Sequence, residues 1–141
     1  MQRRLFLQTT LGAALAGVLT PARAADSVVL IGHPGIPRID MATVQRLYLG
    51  RAIEVAGSPV TVVALPGGSP VRAQFLASWL QSDEERYRAY WTVRRHIGRG
   101  TPPAELGSAA ELIEYVQRTP GAIGYIDAAQ VTSALNVIAR P

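Results

Sequence analysis

The run Leu65-Pro66-Gly67-Gly68-Ser69-Pro70-Val71-Arg72 holds the densest candidate chemistry in the chain. Its two glycines let the backbone turn tightly between a β-prone segment and a helical one. A helix N-terminus leaves backbone N–H groups without partners and carries a partial positive charge, which suits a small oxyanion. Gly68, Ser69 and the backbone at Val71 would face such an anion. The Ser69 hydroxyl has two competing uses, as a donor to the anion or as an ordinary helix cap. Arg72, one turn in, would add a charge-assisted contact. A second candidate is Gly98-Arg99-Gly100-Thr101, where a glycine-flanked Arg99 beside the Thr101 hydroxyl could close over an anion. The competing reading of that segment is a plain loop tip.

Other chemistries find no footing. The Gly68-Ser69 turn lacks the second glycine and the Lys of a nucleotide-binding P-loop. It is no nucleophile elbow either, since no Gly follows two places after Ser69. The absence of Cys removes disulfides, thiol catalysis and Cys-ligated metal. His33 sits in a Pro/Gly loop, and His96 follows Arg94-Arg95 near a helix end, where a cation is favoured. Asp83-Glu84-Glu85 reads as first-turn helix-dipole chemistry. Arg86, Arg88, Arg94 and Arg95 spread around one helix without an aromatic platform, so pairing with acids is expected rather than nucleic-acid binding. No nucleophile, base and orienting group assemble. A hydrolase is thus the least favoured class, and no catalytic residue, metal or cofactor is expected.

The elements that must position these residues alternate between strand and helix. Apolar β-prone runs lie at Ser27–Ile31, Val60–Leu65, Ala122–Ile126 and Asn136–Ala139. Asp40 can cap a helix to Leu49, stopped by Gly50. Ser69 and Pro70 can open a second, with Val71, Phe75, Leu76, Trp79 and Leu80 as its apolar stripe. Ser82 with Glu85, and Ser108 with Glu111, have capping-box spacing for two more. Gly98–Pro103 reads as a loop, and Asp127 with Gln130 as a short capped helix. This order implies an α/β fold with a central, mainly parallel sheet flanked by helices.

Residues 1–24 read as a cleaved export signal. Arg3-Arg4-Leu5-Phe6-Leu7 resembles a twin-arginine signal, an apolar run spans Leu11–Leu19, and Ala22-Arg23-Ala24 supplies a cleavage pattern. Removing 24 of 141 residues leaves 117, enough for one domain over 25–141. Arg3, Arg4 and Arg23 leave with the signal. Eleven Arg then face ten acids, and the formal charge falls from +4 to +1. Basicity therefore gives no argument for a nucleic-acid partner. The apolar run is too short to span a bilayer, so no stable membrane anchor is expected after processing.

Three motifs in order resemble one lobe of the phosphate-binding proteins of ABC importers, the type II periplasmic binding fold. They are Leu47-Tyr48-Leu49-Gly50, then Leu65 to Phe75, then Pro120-Gly121-Ala122-Ile123-Gly124-Tyr125-Ile126. The resemblance covers about Val28 to Ile138. Gly68, Ser69 and Phe75 match the family's second motif. Its anion-binding Arg falls at Leu65, its second Gly at Pro70 and its Thr at Val71. The resemblance implies a periplasmic or secreted, non-enzymatic protein of one binding-protein-like lobe. It would hold phosphate or a similar oxyanion weakly at Gly68, Ser69, Val71 and Arg72, with Arg99 and Thr101 as further candidates and a transporter permease as a partner. The alternative is a protein–protein interaction or dimerisation module that keeps the lobe but has lost the ligand.

Overall fold

The structure is a computed structural model that describes Gly17 and residues 27–141. The export-signal reading, Gly17 apart, lies outside the described residues. In chain order the elements are β1 (Val28–Gly32), α1 (Met41–Tyr48), β2 (Glu54–Val55), β3 (Ser58–Pro59), β4 (Thr61–Ala64) and α2 (Pro70–Trp79). They continue with α3 (Glu84–His96), β5 (Ala104–Glu105), α4 (Ala109–Arg118), β6 (Ala122–Asp127), a 3-10 turn (Ala128–Gln130) and β7 (Asn136–Ala139).

Local chemistry sets the helix starts. Asp40, Ser69 and Ser108 cap α1, α2 and α4, each side chain accepting from a backbone N–H three residues on. Pro70 takes the first position of α2, where its missing N–H removes no helical bond. At α3 the cap is Asp83 rather than the expected Ser82: its Oδ1 accepts from Arg86 N at 2.8 Å. A carboxylate is the stronger acceptor at the positive end of a helix. The Ser82 hydroxyl instead donates to the Asp83 carbonyl. Glu111 also departs from the reciprocal capping pattern, accepting from Gly107 N, one residue before the cap.

Among the described residues the main sheet has five strands in the order β5-β4-β6-β1-β7. Strand β4 runs parallel to both β5 and β6, while β1 lies antiparallel to β6 and β7. Strand β1 is buried along its whole length and β6 along all but Asp127, so both read as unbroken apolar runs rather than alternating ones. Aromatic rings tie the helices to the sheet. Phe75 stacks on Tyr125 at 4.0 Å, and Tyr48 meets Phe75 edge-on at 4.7 Å. Three polar tips are satisfied by backbone carbonyls: Trp79 Nε1 donates to Val28 O, Tyr48 Oη to Val63 O and Tyr87 Oη to Tyr48 O, while the buried Trp91 Nε1 finds no acceptor among the described residues.

The turn into β6 is the tightest backbone approach. Gly121 has φ +78, and a Cβ there would stand 2.8 Å from the Pro59 carbonyl oxygen, a backbone atom with little room to retreat. Gly121→Ala is therefore expected to lower stability by about 2 kcal/mol, from left-handed strain plus the clash. Urea unfolding of the two proteins measures it.

Candidate functional site

Because β4, β5 and β6 are parallel, their carboxyl ends share one edge of the sheet. The chain leaves β4 through Leu65–Gly68 into α2, β5 through Leu106–Gly107 into α4, and β6 at Asp127 into the 3-10 turn. These exits surround a cleft of about 440 Å³. Leu65, Pro66, Ser69 and Val71 line it from one side, Gly107, Ser108 and Ala109 from another, and Asp127 and Gln130 close it. A crevice at the carboxyl ends of parallel strands is where α/β sheets place ligands.

The Gly67-Gly68 turn is clamped from both sides. Leu65 N donates to the Tyr125 hydroxyl at 3.1 Å, and the Leu65 carbonyl accepts from Arg72 Nη1 at 2.9 Å. Burial pushes the Tyr125 phenol far above its usual range, so it stays neutral. Gly68 has φ +92, which an L side chain rarely adopts; it shapes the turn and does not line the cleft. Ser69 Oγ accepts from Arg72 N at 3.3 Å, so it caps α2. Val71 N–H and Ala109 N–H have no protein acceptor among the described residues. The cleft thus meets two helix N-termini, each with an unpartnered N–H.

Arg72 stands elsewhere than expected. It is only 5% exposed and is fully committed. Nε and Nη2 form a bidentate pair with Glu84 at 2.7 and 3.0 Å, and Nη1 meets Glu105 at 2.9 Å as well as the Leu65 carbonyl. The guanidinium also lies over the Tyr87 ring, 5.6 Å from its centroid. Arg88 Nε completes the cluster on Glu84 at 2.9 Å. Two cations and two anions balance, so Arg72 offers no free charge to a ligand. Sequence reasoning missed Glu84 and Glu105 as its partners.

Arg99 and Thr101 are also displaced from the expected site. Both precede β5, so they lie at the amino edge of the parallel strands, opposite Ser69. Thr101 lines a separate groove with Leu47 and Trp91, and Arg99 is exposed where the chain leaves α3. Of the six expected residues, Ser69 and Val71 line the cleft, Gly68 builds its turn, and Arg72, Arg99 and Thr101 serve other places. Asp127, which sequence reasoning treated as a cap only, is the charged residue lining the cleft; its Oδ1 accepts from Ala129 N at 2.9 Å. His33 Nδ1 lies 3.1 Å from the Val116 carbonyl, a tie between loop and helix. His96 sits in the last turn of α3 as expected.

Comparison with solved structures resolves the architecture. A protein from Clostridium perfringens assigned as a phosphate ABC transporter substrate-binding protein, solved with bound phosphate, superposes with TM-score 0.60 at 18% identity. An ABC-type phosphate transport receptor from Vibrio cholerae and PstS from Borrelia burgdorferi each give TM-score 0.61, at 12% and 15% identity. The chain folds as one binding-protein-like lobe. The matches cover 79–80% of this chain but only 44–46% of those structures, so it spans less than half their length. No protein-family model matches the sequence, and no curated protein matches it.

The charge cluster sets a pH dependence. Burial works to raise the Glu84 carboxyl, but the hydrogen bonds and charges of Arg72 and Arg88 prevail and hold it below its ordinary 4.5. The folded state therefore binds this proton less readily than the unfolded chain. The resulting stability is complete above pH 4.5 and is lost as pH falls through the lowered folded value. Urea midpoints should decline on acidification below that point, and Glu84→Gln should flatten the decline. Arg72→Met is expected to cost about 2 kcal/mol at neutral pH, less than a fully buried pair because both carboxylates are partly solvated.

Proposed function

We propose that the chain is a non-enzymatic binding lobe, exported to the periplasm or secreted, that holds a small oxyanion such as phosphate in the cleft at Ser69. The observation that carries this reading is the meeting of two capped helix N-termini, α2 and α4, at one cleft with Val71 N–H and Ala109 N–H unpartnered. The phosphate bound to the Clostridium perfringens neighbour supports the choice of anion. The transport role named for the Clostridium perfringens and Vibrio cholerae proteins supports a permease as partner in the same reading. The leader-like sequence at residues 1–24 supports export, and no helix among the described residues is long and apolar enough to cross a membrane.

Physical chemistry makes such binding weak. Arg72 is neutralised, and Asp127 places a carboxylate in the cleft. Each helix terminus contributes about 0.3–1 kcal/mol, and charge-assisted hydrogen bonds about 1.5–3 kcal/mol each. After the entropy of capture, a millimolar dissociation constant is the expected scale. A single open lobe also leaves one side of the ion hydrated.

The neutralised Arg72 equally favours a second reading, in which the lobe serves a partner protein or a second copy and has lost the ligand. Amide NMR separates the two. On adding phosphate or sulfate to millimolar concentration, the Val71 and Ala109 resonances should shift together. Asp127→Asn, which keeps a capping side chain, should tighten binding about threefold or more by removing the opposing charge. Ser69→Ala should weaken binding and cost about 1 kcal/mol of stability through the lost cap. Unmoved amides in both the parent and the Asp127→Asn protein would sink the oxyanion reading, and a concentration-dependent mass in sedimentation would then favour self-association.

A further inference from the structure

The amino edge of the parallel strands, opposite the Ser69 cleft, has a surface of another kind. A groove of about 340 Å³ opens there, with Leu47, Ile53, Val62, Trp91, Pro102 and Pro103 supplying its apolar lining. Ile53 is 73% exposed, far more than a large apolar side chain usually is in a folded domain. Trp91 is buried beside it.

Three arginines stand next to residues that line this groove. Arg51 is exposed and lies between Gly50 and Ala52, both of which line it. Arg94 reaches across to the Gly50 carbonyl with Nη2 at 3.1 Å, its guanidinium over the Tyr90 and Trp91 rings at 5.5 and 5.7 Å. Arg99 N donates to the Arg94 carbonyl at 2.8 Å, which holds the Arg99 backbone beside the same helix end. No acidic residue lines the groove. Between Glu85 and Glu105 the chain has five arginines and no acid. Among the described residues, Arg51, Arg94 and Arg99 form no ion pair. The two flanking acids are placed elsewhere: Glu105 is bound to Arg72, and Glu54 lines a neighbouring cavity with Arg38 and Arg46.

We propose that this groove docks an acidic segment of a partner protein, which seats an apolar side chain against Ile53, Pro102 and Pro103 while its carboxylates meet Arg51, Arg94 and Arg99. Charge complementarity chooses the occupant. Cations without an acidic partner among the described residues, beside an apolar groove, match a segment in which acids alternate with large apolar residues. Arg94 is already oriented by its carbonyl and ring contacts, so little side-chain freedom is lost when a carboxylate arrives. A lipid surface fits less well, because it cannot insert one side chain into a concave groove. A nucleic acid fits less well too, because Trp91 is buried and offers no face for a base to stack on. The proposal is independent of oxyanion binding at Ser69, which lies at the other edge of the sheet.

The test titrates the protein with decapeptides alternating Glu with Leu or Phe, following tryptophan fluorescence and the amides of Gly50, Ile53 and Thr101. Those amides should shift, and Gln-for-Glu counterparts should bind about tenfold more weakly or worse. Added salt should weaken the acidic peptides selectively. The double variant Arg51→Glu/Arg99→Glu, at two exposed positions, should lose about tenfold in affinity while keeping its urea midpoint. Equal binding of the neutral peptides, or no shift at the groove amides at millimolar acidic peptide, would overturn the proposal. So would arginine-dependent capture of anionic phosphatidylglycerol vesicles or an RNA oligonucleotide without capture of peptide.

Discussion

Burying one guanidinium governs much of this lobe. Arg72 points inward from the first turns of α2, and a charge at that depth is tolerable only with its donors satisfied and its charge matched. Burial alone would lower its pKa, yet the Glu84 hydrogen bonds and the nearby carboxylates raise it, so the ionised form is secured. Meeting that demand draws four segments together. The Leu65 carbonyl comes from the exit of β4, Glu84 from the first turn of α3, and Glu105 from the two-residue strand β5. Tyr87, one helical turn beyond Glu84, covers the guanidinium face, and burial pushes its phenol up to about 12. The loop from β4 to α2 is thereby anchored to two helices and an edge strand.

That anchoring determines what the cleft can offer. The guanidinium sits behind the turn rather than in front of it, with its charge spent on carboxylates of the same chain. A Cβ on Gly67 would stand 2.6 Å from Arg88 Nη2 and 3.2 Å from Glu84 Oε1, so the turn itself packs against the ion cluster. What remains on the open side is backbone polarity: two helix ends, a serine cap on each, and Asp127. Such a surface has backbone donors to offer but supplies no positive charge to offset the desolvation of an anion. The fold keeps the geometry of a binding lobe while its strongest electrostatic resource is used in holding the turn.

The parts legible in the sequence were those with local causes. Strands β1, β4 and β6 announce themselves as apolar runs, and Asp40, Ser69 and Ser108 stand directly before the helices they cap. The Pro120–Ile126 motif also proves to have physical content. Gly121 takes a left-handed turn against Pro59, and a Cβ on Gly124 would come within 2.6 Å of the Leu112 side chain, so α4 packs flush on β6. The parts not legible were non-local. Arg72 meets acids 12 and 33 residues away, and nothing in their spacing marks them as partners. Strands β2, β3 and β5 have two residues each, too few for any periodicity, and owe their form to pairing. Arg99 and Thr101 were misplaced because a parallel strand sends its preceding and following loops to opposite edges, and β5, two residues directly after the Gly98–Pro103 loop, has no signal of its own in the sequence.

The position of β5 therefore decides the division of labour across the lobe. Its register beside β4, Val63 with Ala104 and Ala64 with Glu105, places Glu105 next to the exit of β4, where Arg72 needs a second carboxylate. The same register sends Thr101–Pro103 and the arginine-rich end of α3 to the other edge. Acid is thus consumed where the helix N-termini face the solvent, and cations without an acidic partner among the described residues gather where Ile53 and the groove are exposed. Shifting β5 by two residues would keep its alternation but carry Glu105 about 7 Å along the sheet. Arg72 would then be left with an unmatched donor, so the buried charge fixes the register, and the register fixes which charged groups each edge of the sheet presents.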